Sequence, residues 1–302
     1  MKQLLITVIA ALMVCGCEKP DFGTAGTEVE GQEQTEQKPG KTGRRFTFTL
    51  KGDFGNVTFT GGATRGYLSD NEEQMTDLWV FDYMGDSLVQ SLHQTAAGSG
   101  EAWGRPQMEL AFGSHHVYFV ASRGAEPRVD TLGRTIAWAT VRDTYWADYE
   151  VSVTSTSNGN RAVTLDRVVT KLKVTATDCV PEGCAKVVVK PSTWYYGLNY
   201  ATGAPVAPSD SARTVSVPSS YAGTTGSLSV SVMGISRSTE WTTDVDVTAC
   251  NAAGGVIGHA VIASAPFMRN RASEYSGALF GAGTTSTVSL NSQWLEAHSG
   301  AW

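Results

Sequence analysis

A chain of 302 residues with 23 Lys+Arg against 29 Asp+Glu has a formal net charge of −6, which leaves no electrostatic footprint for DNA or RNA and no basic patch for anionic lipid. Its 32 glycines, 17% charged residues and short alternating runs of Val, Thr and aromatics are the composition of an all-β protein. The length allows about two domains of roughly 150 residues.

At the N-terminus Lys2 precedes Leu4 to Val14, apolar but for Thr7. Such a run is too short to span a bilayer, which takes about 20 residues, and suits a secretory signal. It ends in Val14-Cys15-Gly16-Cys17, which resembles a lipobox: residues 1–16 are expected to be removed and Cys17 to be acylated. Anchorage in the outer membrane then rests on the acyl chains, at about 0.8 kcal/mol per buried CH₂. Residues 17–44, rich in Glu, Gln, Gly, Thr and Lys, read as a flexible tether.

Strand periodicity begins at Phe46, where Phe46, Phe48 and Leu50 share one face and Thr47 and Thr49 the other. Val57 and Phe59 repeat the alternation, and a Gly-rich loop, Gly61 to Gly66, follows. Leu78 to Tyr83 and Leu88 to Leu92 form a hairpin across Met84-Gly85-Asp86. Val117 to Ala121 is apolar without alternation, as in a strand covered on both faces. Thr135 to Trp146 is the one place for a short helix. Tyr149 to Val153 and Ala162 to Leu165 flank the turn Ser157-Asn158-Gly159-Asn160. Leu172 to Ala176 opens a second β-unit, followed by strands near 186–190, 214–217, 228–232, 245–249 and 256–262, with a hairpin turn at Asn251 to Gly255. Short strands at intervals of about 8–12 residues indicate sandwiches. The expected division is 45–165 and 166–302, with the boundary near Asp166.

Catalytic signatures are absent: there is no His-Glu-x-x-His, Gly-x-Ser-x-Gly or Gly-x-Gly-x-x-Gly. Gly40-Lys41-Thr42 ends like a phosphate loop, but Thr35 stands where the first glycine is needed. His115 and His116 are neighbours on a strand and point to opposite faces, which argues against a shared metal. Asp244 and Asp246 alternate with Val245 and Val247, as on any half-exposed strand. No cofactor or metal is implied. Cys179 and Cys184 flank Val180-Pro181-Glu182-Gly183 and form a candidate disulfide, with two free thiols as the alternative; Cys250 is left over. Trp194, Tyr195, Tyr196 and Tyr200 are the densest aromatic cluster, either packed in the core or forming a platform for glycan or a protein partner.

Five features recur in order: the lipobox and tether, Thr64-Arg65-Gly66 ahead of Leu78 to Tyr83, Gly113 to Ala121, Arg167 to Val174, and Pro266-Phe267-Met268-Arg269-Asn270-Arg271. Together they resemble the fimbrillin family of FimA/Mfa-type pilins and FimB-like anchor and accessory subunits. The resemblance implies two tandem transthyretin-like β-sandwiches, export as a lipoprotein, and a structural rather than enzymatic role in a fimbrium. It implies other fimbrial subunits as partners, with a host or bacterial surface as the adhesive target. In polymerising members an arginine-specific protease cuts after the first strand, and a strand from another subunit fills the groove. Arg65, followed by Gly66, is the matching position, and Phe46, Phe48 and Leu50 mark the removable strand. Arg44 and Arg45 are expected to precede that strand, so that cutting there only frees the body from its lipid. The alternative is a monomeric surface lipoprotein that binds glycan or a protein.

Overall fold

The period of two at the start of the pattern becomes the two faces of strand β1 (Gly43–Gly52): Phe46, Phe48 and Leu50 are buried, while Arg45, Thr49 and Lys51 are exposed. The computed structural model describes residues 42–52, 75–123, 126–281 and 298–301. The signal, Cys17, Arg65, Gly66 and the Val57–Phe59 alternation lie outside the described residues.

After β1 come β2 (Asp77–Met84), β3 (Ser87–Thr95), β4 (Gln107–Ala111), β5 (Gly113–Ser122), β6 (Arg128–Asp130), β7 (Thr135–Ala137), β8 (Thr144–Val153) and β9 (Asn160–Arg167). Among the described residues there is no α-helix, only two short 3₁₀ turns. The β2–β3 hairpin turns at Gly85-Asp86, where Gly85 takes φ +58° at no steric cost. A helix at Thr135 to Trp146 does not form. Instead Ile136 pairs with Val129 of β6, and Trp138 and Val141 sink into the core; tertiary burial outweighs a weak local preference.

Seven strands share one sheet in the order β3-β2-β5-β8-β9-β1-β4. In a flat sheet β1 and β5 would be about 14 Å apart, three spacings of 4.7–4.9 Å. Yet the Phe48 and Phe119 rings lie 5.1 Å apart, and Phe48 and Tyr149 5.8 Å. The sheet therefore folds over between β8 and β9, which pair only at Tyr145↔Arg167 and Trp146↔Asp166. Phe46, Phe48, Leu50, Leu78, Val117, Phe119 and Leu165 are among the residues of the core so enclosed.

Only Val168 separates β9 from β10 (Val169–Ala176). Then follow β11 (Cys184–Pro191), β12 (Trp194–Asn199), β13 (Pro205–Ser209), β14 (Arg213–Ser216), β15 (Ser229–Ile235), β16 (Trp241–Asn251), β17 (Val256–Phe267), β18 (Ala272–Gly277) and β19 (His298–Ala301). Two four-stranded sheets, β15-β10-β18-β19 and β14-β11-β16-β17, bury Leu172, Val174 and Val230 of the first with Val187, Val189 and Val247 of the second. A further sheet, β13-β12-β7-β6, joins strands from both halves of the chain.

The unbroken apolar runs of β2 and β5 now have a cause. Leu78, Val80 and Phe119 face the first core, whereas Trp79, Phe81, Tyr83 and Tyr118 face a second core continuous with the β10–β18 sandwich. Phe81 stacks on Tyr200 at 4.2 Å, and the Tyr83 and Tyr200 hydroxyls lie 2.8 Å apart. The described residues, from 42 on, form one compact unit.

Candidate functional site

Strand β1 lies inside its sheet rather than at its edge. Its first half pairs antiparallel with β4, from Gly43↔Ala111 to Thr47↔Gln107, and its second half pairs parallel with β9, from Thr47↔Asn160 to Gly52↔Leu165. Two further amides are satisfied by a loop: Phe48 N–H donates to Pro106 O (3.0 Å) and Leu50 N–H to Gly104 O (3.1 Å). Strand β4 terminates the sheet, and β1 is its neighbour there. Burying Phe46, Phe48 and Leu50 at about 1.5–3 kcal/mol each contributes roughly 5–9 kcal/mol before entropy, against a net stability of about 5–15 kcal/mol for a domain. Holding β1 is thus worth a large share of the fold.

Arg44 and Arg45 do not precede the strand. They lie within β1, opposite Leu110 and Glu109, because the ladder to β4 begins already at Gly43. Cutting there would divide the strand instead of only releasing a tether. The Arg45–Glu109 bridge (3.0 Å) is mostly exposed and holds the strand weakly.

His115 and His116 part as expected. His115 is buried, with Nδ1 2.7 Å from Asp82 and Nε2 3.0 Å from Ala111 O. His116 faces outward, 3.3 Å from Asp148 and 3.7 Å from Glu150. These three groups bring ligand atoms within 4.8 Å of one another, but one is a histidine nitrogen and only two are carboxylate oxygens, far short of the roughly six to eight oxygens calcium takes, and they lie on an open surface. Asp244 is likewise structural, since its carboxylate accepts the Ser264 N–H at 2.7 Å. Asp246 pairs with His259 at 3.1 Å.

The aromatic cluster divides. Trp194 and Tyr200 are fully buried and Tyr195 nearly so. Trp194 packs on Phe267 at 4.9 Å and donates its indole N–H to Met233 O at 3.0 Å. Tyr200 lies within the second core against Phe81, Tyr83 and Tyr118, and burial pushes its phenol, like those of Tyr196 and Tyr118, above the usual tyrosine range. Trp194, Tyr195 and Tyr200 cannot form a platform, because packing has already consumed their faces. Tyr196 alone is half-exposed; its hydroxyl donates to Ser211 O (3.2 Å), and its ring borders a groove of about 800 Å³.

Cys179, Cys184 and Cys250 are free thiols, so the candidate Cys179–Cys184 bridge is not formed. Cys179 is exposed in a bridge pair with Thr225, whereas Cys184 is buried at the start of β11. Burial, and then Cys250, push the Cys184 thiol upward.

Two sequence features singled out separately come together. Asn270 N–H donates to Val169 O (2.7 Å), and Lys171 N–H and the Thr170 hydroxyl donate to Arg271 O (3.0 and 2.9 Å). Arg269 reaches Ser236 O and Gly203 O. The Arg167–Val174 and Pro266–Arg271 stretches thus meet at one corner beside β10 and β18, tied by backbone hydrogen bonds.

A family model, a family of unknown function designated DUF6562, matches residues 134–300. No curated protein matches the chain. Solved structures similar to it include a candidate adhesin from Bacteroides ovatus, at 12% identity over 79% of this chain and 88% of that one, with a TM-score of 0.49. The fimbrial anchor protein Mfa2 from Porphyromonas gingivalis is 9% identical over 72% of this chain and 82% of its own, with a TM-score of 0.43. The tip fimbrial protein Mfa3 of the same organism is 16% identical over 76% and 93%, with a TM-score of 0.39. Fimbrial proteins and adhesins thus stand among its structural neighbours. These are low-identity likenesses, and the functional reading rests on the chain's own geometry.

Proposed function

The chain belongs to the DUF6562 family of unknown function, and from that premise we propose that it is a fimbrial subunit, of structural or anchor/accessory type, that assembles by β-strand exchange and contributes to adhesion. The observation that carries this reading is β1: ten residues, hydrogen-bonded on both sides, whose buried Phe46, Phe48 and Leu50 close the first core. A strand so placed leaves an apolar slot and two open ladders when it departs, and such a slot favours capture of an equivalent strand from another chain. On this reading Cys17 carries the lipid, Arg65-Gly66 is the cut that frees β1, and the chain works at the outer membrane surface as two sandwich domains meeting near Asp166.

The test is to nick the folded protein with an arginine-specific protease and follow assembly. The nicked protein is expected to lose β1, form ladders stable in mild detergent, and be capped by an added peptide of residues 43–52. The same peptide with Phe48→Ala should cap poorly. A nicked chain that remains monomeric and takes up no peptide removes the strand-exchange reading.

A further inference from the structure

The groove bordered by Tyr196 stands apart from β1, and nothing in strand exchange uses it. Its walls come from the segment after β7, the outward face of β10 and β15, and the β12–β13 and β14 strands. We infer that this groove, lined by Arg142, Lys171 and Arg213 around Tyr196 and Trp138, is a binding site for an acidic saccharide.

Charge is the first reason. The protein as a whole is acidic at −6, yet among the described residues these three cations line the groove and no carboxylate does. Asp210, adjacent in sequence to the lining residues Ser209 and Ser211, is turned to Lys190 at 3.3 Å and is not part of the wall. A concave surface of one sign concentrates ligands of the other.

The second reason is a donor with nothing to bond. Trp138 is only 4% exposed and lines the groove, and its indole N–H is buried without an acceptor. Buried polar groups are nearly always satisfied, and because this indole nitrogen has less than 1 Å² of accessible surface, an acceptor in the groove reaches it only when the Trp138 ring turns toward the ligand. The backbone holds this residue in place, since Trp138 N–H donates to Tyr196 O at 2.9 Å.

Chemistry then favours a saccharide over an acidic peptide. Hydroxyls from Thr140, Ser209, Ser211, Thr214 and Ser231 line the groove. They can both donate and accept, as sugar hydroxyls do. Tyr196 supplies a half-exposed ring edged by Pro208 and Met233, an apolar face for a pyranose to rest on. Carboxylated and sulfated sugars share the feature that the arginines recognise, a planar or branched oxyanion met by guanidinium N–H groups.

Titration calorimetry on the purified protein tests this with a uronic-acid oligosaccharide, a sulfated oligosaccharide, an uncharged glucan of matched length, and poly-glutamate. Saturable binding of at least one acidic oligosaccharide is expected, weakening as salt is raised, with no binding of the glucan. The preferred acidic chain identifies the oxyanion. The exposed pair Arg142→Gln and Arg213→Gln should lower affinity by about tenfold or more without changing the melting temperature. Tyr196→Ala and Trp138→Phe should each weaken binding severalfold. Equal binding of the glucan, no binding of either acidic oligosaccharide, or an unaffected arginine double variant overturns the site. Tighter binding of poly-glutamate, lost in the arginine variant, overturns the saccharide class in favour of an acidic peptide.

Discussion

Replacing Gly159 with alanine sets two physical readings against each other with opposite signs. In sequence Gly159 belongs to the turn Ser157 to Asn160, and its φ is not in the left-handed region. On that basis alanine should be tolerated, or stabilise by about 0.4–1 kcal/mol by restricting the unfolded chain. The structure disagrees. A Cβ at Gly159 would lie 2.0 Å from the Arg45 carbonyl oxygen, whereas ordinary contact begins at 3.4 Å. One backbone must retreat by roughly 1.4 Å, the difference between those two distances. The same approach carries the Thr47 N–H to Gly159 O hydrogen bond of 2.7 Å, at the point where β1 changes partner from β4 to β9. Overpacking costs about 1–3 kcal/mol and the lost hydrogen bond about 0.5–1.5 kcal/mol. Gly159→Ala should therefore destabilise by about 1.5–4.5 kcal/mol. Urea unfolding should show a lower midpoint at unchanged slope, and hydrogen exchange should quicken in β1 and β4 before β2 and β5. A midpoint that stays or rises would refute the claim that β1 is docked through this contact.

Trp194→Ala should cost about 3–5 kcal/mol of stability, as expected for a large side chain removed from a core; a thermal shift no larger than that of a surface substitution would return Trp194 to the surface. Burial pushes the Tyr275 phenol from 10.0 up to about 12, so above pH 10 the unfolded chain releases a proton that the folded one retains. The Tyr275 contribution is full below about pH 10 and should fall by about 3 kcal/mol as pH rises to 12, together with losses from the raised phenols of Tyr118, Tyr196 and Tyr200, so Tyr275→Phe should make the decline in pH-dependent melts shallower without abolishing it. A thiol reagent should modify Cys179 in the native protein and reach Cys184 and Cys250 only after unfolding; mass spectrometry showing no native modification and a mass lower by two hydrogens would indicate a bridge instead.

Much of the β-structure was legible because strand character is local. Phe46, Phe48 and Leu50 declare a face by spacing alone, and the Gly85 and Asn251–Gly255 turns declare hairpins by residue type. The site was much less legible. Trp194, Tyr195, Tyr196 and Tyr200 are close in sequence, yet three are buried and only Tyr196 meets the groove. Consecutive residues on a strand serve opposite faces, and composition cannot tell which face another sheet will cover. Arg142, Lys171 and Arg213 carried no signal, because they sit on three separate segments and become neighbours only when the β12–β13 sheet packs beside β15.

Composition and periodicity by themselves determined that this protein is all-β, where most strands run, and which of their residues are apolar. Tertiary structure alone decided that β1 sits between β4 and a parallel β9 more than a hundred residues away, that β2 and β5 are covered on both faces by two cores, and that three distant cations share one groove. The physical reason is the range of the forces that choose. Alternation follows from the geometry of a single strand, whereas strand order and sheet packing are settled by burial and pairing among segments that the chain must first bring together.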